Sequence, residues 1–406
     1  MRDFHTFEVA VAVLGGLLVV GSLLAGVARR SFLSLTAIFV VVGFVLGEGG
    51  LEVLEIEPES SFVHSLAIVA LILILFRDGL EVEQELLQEE WHLPLRKLVF
   101  AMPLTAGLVA VVTYALTDLD WTESFLLGAL LSPTDPVLSS AVVTNPRVPR
   151  RIRHSLNLES GLNDGLALPA VLALLVSLDP DEGDFTWWTF VVQDIGVGFA
   201  AGAVVGFAAA RLMPERRALG IEISPHQKAL YGLGVAFAGY GLAVLPPEGN
   251  GLIAVFVAAI VLGILRPDIR EAFERRSEDI IEVVKLGIFV VFGALLTANG
   301  LFDDGVAAVA IALFTLFAAR PIAVHASLTG SDTSATERWF MSWFGPKGVA
   351  TMTFSLLVLG QTIEDGSRIF NIAALTVFFS IVLHGLTDHA GVNWIARRSG
   401  AAKAAK

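Results

Sequence analysis

The chain has 406 residues, of which 55% are hydrophobic and only 17% charged, and its mean hydropathy is +0.72. A soluble domain of this size carries about a quarter charged residues, so the composition excludes a soluble globular protein and points to a polytopic membrane protein. The formal net charge of -13 points away from nucleic acid and other polyanions, and the lack of cysteine excludes disulfides, thiolate metal sites and a cysteine nucleophile.

No leader peptide is expected at the start: only Arg2 precedes the first apolar run and Arg29-Arg30 follow it, the reverse of a leader's charge order. Stretches apolar enough to cross a hydrocarbon core of about 30 Å run over 8–28, 32–47, 62–76, 97–117, 122–144, 153–177, 186–210, 226–245, 251–265, 281–298, 304–326, 337–360 and 369–388. These thirteen segments are expected to be helices, because they are too long and too continuously apolar for the alternating strands of a barrel. Acidic residues crowd two connections, at Glu52, Glu55, Glu57 and Glu59 and at Asp179, Asp181, Glu182 and Asp184, where they read as solvated surface.

Basic residues orient the chain. Arg29, Arg30, Arg77, Arg96, Lys97, Arg147, Arg150, Arg151, Arg153, Arg211, Arg216, Arg217 and Lys228 all follow odd-numbered segments. So do Arg266, Arg270, Arg275, Arg276, Arg338, Arg397, Arg398, Lys403 and Lys406, which leaves Arg2 and Arg368 on the other side and Lys285, Arg320 and Lys347 inside segments. By the positive-inside rule the amino terminus lies outside the cell membrane and the carboxyl terminus in the cytoplasm. No linker or soluble domain interrupts the segments, and the cytoplasmic tail is expected to be about two turns long.

Two segments are expected to break. Segment five contains Ser132-Pro133-Thr134-Asp135-Pro136, and segment twelve contains Gly345-Pro346-Lys347-Gly348. Proline removes a backbone donor and disfavours helical geometry at the residue before it. An odd offset between the two segments makes them antiparallel, and interrupted helices in inverted positions point to a transporter's midplane site. Asp135 suits the positive amino ends of half-helices, and Lys347 the negative carboxyl ends.

Segment six carries Glu159-Ser160-Gly161-Leu162-Asn163-Asp164. A charge at bilayer depth costs roughly 2.5–3.5 kcal/mol even on a lenient scale, which makes the hexapeptide a candidate site. Glu159 and Asn163 share a helix face, with Ser160 and Asp164 on the adjoining stripe. A carboxylate there can hold a proton or a hard cation. For Na+, Asp164, Ser160, Asp135 and the Thr134 carbonyl offer oxygens. Arg320, beside Pro321, keeps its charge and needs a carboxylate in the membrane, for which Glu159 is the candidate. Asp194 reads as a water-facing interface residue, Lys285 as a snorkelling lysine and His384 as a helix-interface histidine. Gly196-Val197-Gly198 lies in an apolar helix with no preceding strand, so no dinucleotide site is expected.

Thr134-Asp135-Pro136, the Glu159–Asp164 hexapeptide, Arg320 and Gly345-Pro346-Lys347-Gly348 together resemble the NhaP-type sodium/proton antiporters of the first monovalent cation/proton antiporter family. The resemblance implies an all-α polytopic fold of two inverted six-helix repeats with crossed broken helices, working as a homodimer in the cell membrane. A dimerisation domain would take helices one to three (1–95) and eight to ten (214–300), and a moving core helices four to six (96–180) and eleven to thirteen (301–390). Helix seven (181–213) would link them, and 391–406 would form the tail. Asp164 would bind cation and proton in turn, with Asp135, Ser160 and the Thr134 backbone as further ligands, Asn163 holding the site and Glu159 paired with Arg320. The implied activity is electroneutral exchange of Na+ or Li+ for H+ by an elevator-type motion, with no cofactor beyond the transported ions. K+/H+ exchange and a cation-coupled symporter on the same plan are the alternatives. Lys347 stands where the family usually has arginine, and Gly161-Leu162 replaces the commoner Leu-Leu.

Overall fold

The computed structural model describes residues 35–86, 91–135, 140–179, 186–214 and 223–398, with isolated positions between 12 and 23. Among the described residues every regular element is a helix. In chain order these are α1 (Leu35–Leu46), α2 (Ser61–Leu86), α3 (His92–Leu116), α4 (Trp121–Leu130), α5 (Ser140–Val143), α6 (Arg150–Leu178) and α7 (Trp187–Leu212). There follow α8 (Pro225–Ala243), α9 (Gly251–Leu265), α10 (Pro267–Ala294), then a single unlabelled helical turn at Ala298–Leu301, α11 (Gly305–Ser327), α12 (Ala335–Trp343), α13 (Val349–Leu359) and α14 (Gly366–Arg398). The expected segment at 8–28 lies outside the described residues but for those isolated positions, and helices occupy the places of the others. Six of them are long and apolar enough to cross a membrane unbroken; the rest are shorter, less apolar or interrupted.

The chain writes its own helix starts. Asp120 with Glu123, Ser224 with Gln227 and Ser334 with Glu337 form reciprocal caps at α4, α8 and α12, while Asn250 accepts from the amides of Leu252 and Ile253 to open α9. Among the described residues three helices carry π-helical turns: Lys97–Ala101 in α3, Phe190–Val197 in α7 and Thr315–Ala319 in α11. In α3 and α11 Pro103 and Pro321 follow closely and have no N–H to give to the preceding turn, whereas α7 has no proline.

Three boundaries differ from the sequence reading. α2 continues to Leu86 rather than stopping near residue 76, because the charges that follow neutralise each other: Arg77 Nε and Nη2 donate to Asp78 Oδ1 at 2.8 and 2.6 Å. α10 begins at Pro267 instead of near 281, since proline suits a first helical turn and the polar stretch after it carries the helix beyond the apolar run. α14 runs on to Arg398 and takes up residues expected in the tail.

Packing forms two groups of helices. α1 lies against α10, while α9 is held between α2 and α7 with α8 alongside. α3 packs on α4 and α11, α4 on α6, and α14 on α11 and α13. α2 touches both groups, meeting α6 and α13. The contact between α1 and α10 is backbone to backbone: a Cβ at Gly293 would strike the Val40 carbonyl, and one at Gly43 the Val290 carbonyl. Gly293→Val is therefore expected to lower the apparent melting temperature of the purified protein, consistent with an overpacking cost of about 1–3 kcal/mol. An unchanged melt would show that the two helices do not meet this closely.

Candidate functional site

Both breaks form, and they meet. α4 ends at Leu130, and Ser132, Pro133, Thr134 and Asp135 follow in non-helical, buried backbone; Pro136 lies outside the described residues. α12 ends at Trp343, and Gly345-Pro346-Lys347-Gly348 spans the gap to α13. Lys347 is 0% exposed and its Nζ donates to the Ser132 and Pro133 carbonyls, each at 3.1 Å, at the carboxyl end of α4. In the other direction, Asp135 Oδ2 accepts from the Val349 amide at 3.1 Å, at the amino end of α13. Asp135 N donates to the Pro346 carbonyl at 2.8 Å, and Thr351 Oγ1 to the Leu130 carbonyl at 3.0 Å. Each charge thus meets the helix end of opposite partial charge on the other broken segment.

Glu159 is held from two sides. Arg320 Nη1 donates to its Oε1 at 2.8 Å, and Lys97 Nζ to its Oε2 at 2.5 Å and to the Ser155 carbonyl at 3.0 Å. Arg320 also reaches the last carbonyls of α12, with Nε on Ser342 at 3.1 Å and Nη2 on Met341 at 3.2 Å. It can lie there because Gly345 has no side chain; a Cβ at that position would land on the guanidinium. In the sequence Lys97 reads as one more basic residue at the membrane boundary. Nothing local distinguishes it from Arg96, and only the approach of α3 to α6 reveals its role.

Asp164 lies on α6, about a turn beyond Glu159, and is 9% exposed. Its neighbour Asn163 donates Nδ2 to the Thr134 carbonyl at 2.7 Å and to Thr134 Oγ1 at 3.2 Å, tying α6 to the break in segment five. Asn163 Oδ1 is buried without a hydrogen-bond partner, an acceptor left over beside Asp164. Ser160, one turn before Asp164, is half-buried. The electrostatic neighbours of Asp164 are the carboxylates of Asp78 and Asp135 and the cations Arg77 and Lys285. Asp78 is not legible as a site residue in the sequence because the apolar run of the third segment ends just before it. Lys285, read as snorkelling, is instead buried on α10.

At the end of α6 away from its arginines, a cavity of about 240 Å³ is lined by His64, Leu172, Asp179, Asp194, Tyr240 and Gln361, among others. Asp194 therefore faces a cavity of mixed polar and apolar lining between helices. Leu172 stands eight residues from Asp164, about 12 Å along the helix, so two turns of α6 separate this cavity from the buried aspartate.

Comparison with known proteins adds a family. The family model for the transmembrane sodium/hydrogen exchangers matches residues 16–394. The K(+)/H(+) antiporter NhaP2 of Shewanella sp. (strain ANA-3) is 24% identical over 380 residues, which is 92% of this chain; the chain spans 65% of that protein's length. The Na(+)/H(+) antiporter ApNhaP of Aphanothece halophytica is 25% identical over 406 residues, covering 91% of this chain and 72% of that protein. The fold matches the sodium proton antiporter MjNhaP1 of Methanocaldococcus jannaschii at pH 8 with a TM-score of 0.81 at 20% identity, over 96% of this chain and 98% of that one.

One carboxylate facing two cations makes the stability of this cluster asymmetric. Lys97→Met leaves Glu159 paired with Arg320, whereas Glu159→Gln strands two buried cations, and removing one partner of a buried pair costs about 3–5 kcal/mol. Glu159→Gln is expected to melt well below Lys97→Met in detergent. The reverse order would mean that Glu159 is not the centre of the cluster.

Proposed function

Because this chain belongs to the sodium/hydrogen exchanger family, we propose that it is a secondary active antiporter exchanging Na+ or Li+ for H+, with Asp164 as the group that takes each ion in turn. The observation that carries this reading is Asp164 buried on α6 while its neighbour Asn163 grips the break at Thr134. A carboxylate removed from water is costly to leave bare, so it holds either a proton or a cation, and exchange becomes obligatory. Asp135, Ser160 and the Thr134 carbonyl complete an oxygen set for a hard cation. Asn163 Oδ1 and Asp78 add further oxygens to the same region.

Glu159, Arg320 and Lys97 form a fixed-charge cluster that holds α3, α6, α11 and α12 together and does not change charge during turnover. With Asn163 neutral beside Asp164, one monovalent cation replaces one proton, and exchange is electroneutral. The motion is elevator-like, with the helices around the crossing sliding against α2 and its partners, and the arginine-rich ends face the cytoplasm. A K+/H+ exchanger is the second reading, favoured by the likeness to the Shewanella K(+)/H(+) antiporter.

Proton flux in sealed proteoliposomes, after successive additions of Na+, Li+, K+ and Ca2+, decides among these readings. Dissipation of the proton gradient by Na+ and Li+ is expected; a response to K+ alone would select the second reading, and no response to any of them would overturn exchange altogether. Asp164→Asn is expected to reduce the flux to that of protein-free vesicles while the purified protein still elutes as a folded particle. Near-normal exchange by that variant would sink the assignment of Asp164. An imposed membrane potential should leave the rate almost unchanged, and charge movement that accumulates with turnover would refute electroneutrality.

A further inference from the structure

Two turns of α6 separate the cavity from Asp164, and apolar side chains from three helices fill that interval. On α6 the spacing of Leu172, Leu168 and Gly165 carries one face from the cavity wall to the residue beside the aspartate. On α9 Leu252 lines the cavity and Phe256 follows it by one turn on the same face. From α2, Ile72 and Leu75 continue the face that Ile68 presents to the cavity. Leu168 and Leu75 are fully buried, and all of these side chains belong to or pack on one apolar cluster.

Phe256 occupies a particular place in this layer. Its ring lies on the backbone of α6 at Gly165, where a Cβ would land on Cζ and both Cε carbons. Its other side reaches α2 at Gly79, where a Cβ would lie 2.8 Å from the Phe256 carbonyl oxygen and 3.3 Å from Cδ2. Gly165 adjoins Asp164 and Gly79 adjoins Asp78, so the ring fits between two helices where each has a glycine next to a carboxylate. Its neighbours Val255 and Ala259 are fully buried, whereas Phe256 is only partly so, which leaves one side of the ring unpacked by protein.

We propose that Phe256 is the gate between the cavity and Asp164: the ring, carried by α9, rests on Gly165 and closes the route along α6. Its part in exchange rests on the exchange reading above. An ion crossing the layer of Leu168 and Phe256 would lose its water and meet no oxygen in return, so the layer is a barrier while the ring is seated. The contact joins the two groups of helices, with α9 packed between α2 and α7 and α6 packed on α4. Sliding of one group past the other moves Gly165 from under the ring and opens the layer without unfolding either helix. A glycine is needed at the seat, because any side chain there would hold the ring away from α6.

The chain has no cysteine, so one introduced thiol reports on the route without background. Asp164→Cys places it beside the seat, and a membrane-impermeant trimethylammonium methanethiosulfonate added to intact cells reaches it from the cavity end. A closed state that opens for about 10% of the time or less limits this labelling, so adding Phe256→Ala is expected to speed it by about tenfold or more. Fast labelling with Phe256 in place, or no acceleration on its removal, overturns the proposal. Ala323→Cys, fully buried on α11 away from the route, is the control: equal acceleration there marks general loosening and also overturns it. Should the Phe256→Ala protein fail to elute as a folded particle, Phe256→Leu decides, with a smaller acceleration expected and none overturning the gate. The labelling does not require exchange, whereas absence of exchange by the wild type in proteoliposomes would overturn the functional reading alone.

Discussion

A helix interrupted inside a bilayer leaves N–H and C=O groups that water cannot reach, and each must find a partner within the protein. This chain interrupts two helices and answers both interruptions with each other. Lys347 closes the carboxyl end of α4 and Asp135 receives the amino end of α13, so neither break is stable without its counterpart. The backbone bond from Asp135 to Pro346 and the side-chain bond from Thr351 to Leu130 fix their register.

The same demand for partners divides the hexapeptide on α6. Glu159 is saturated by Lys97 and Arg320, which leaves it no freedom to bind or release anything. Asp164, about one turn further on, makes no such pair among the described residues; its electrostatic neighbours are the carboxylates of Asp78 and Asp135 and the cations Arg77 and Lys285. Proximity in sequence therefore conceals opposite circumstances. A fully neutralised carboxylate stiffens the helices it joins, and an incompletely neutralised one remains available to an ion. Asn163 stands between them and connects the helix to the break through Thr134.

Much of the architecture is legible in the sequence. Long apolar runs locate helices because burial in lipid tolerates little else, and prolines beside charges locate breaks because each proline deletes a donor that the membrane cannot replace. Legibility stopped at charges near segment ends. Asp78 and Lys97 fell beyond or on the boundary of an apolar window, where a charge reads as solvated. Asp78 is buried because Arg77 neutralises it within the helix, and Lys97 because Glu159 arrives from another helix. Hydropathy, which scores one residue at a time, registers neither arrangement.

Composition, the length of the apolar runs and the two proline-bearing breaks were enough to establish a helical membrane protein with a charged centre, since these depend on the cost of exposing backbone and charge to lipid. Which cation meets which carboxylate, and which of two carboxylates on one helix has no cation paired to it among the described residues, were settled only by the packing of helices distant in sequence. The physical reason is range. The cost of burial belongs to a residue and its near neighbours, whereas neutralisation belongs to contacts of a few ångströms made across the whole chain, from Lys97 to Glu159 and from Ser132 to Lys347.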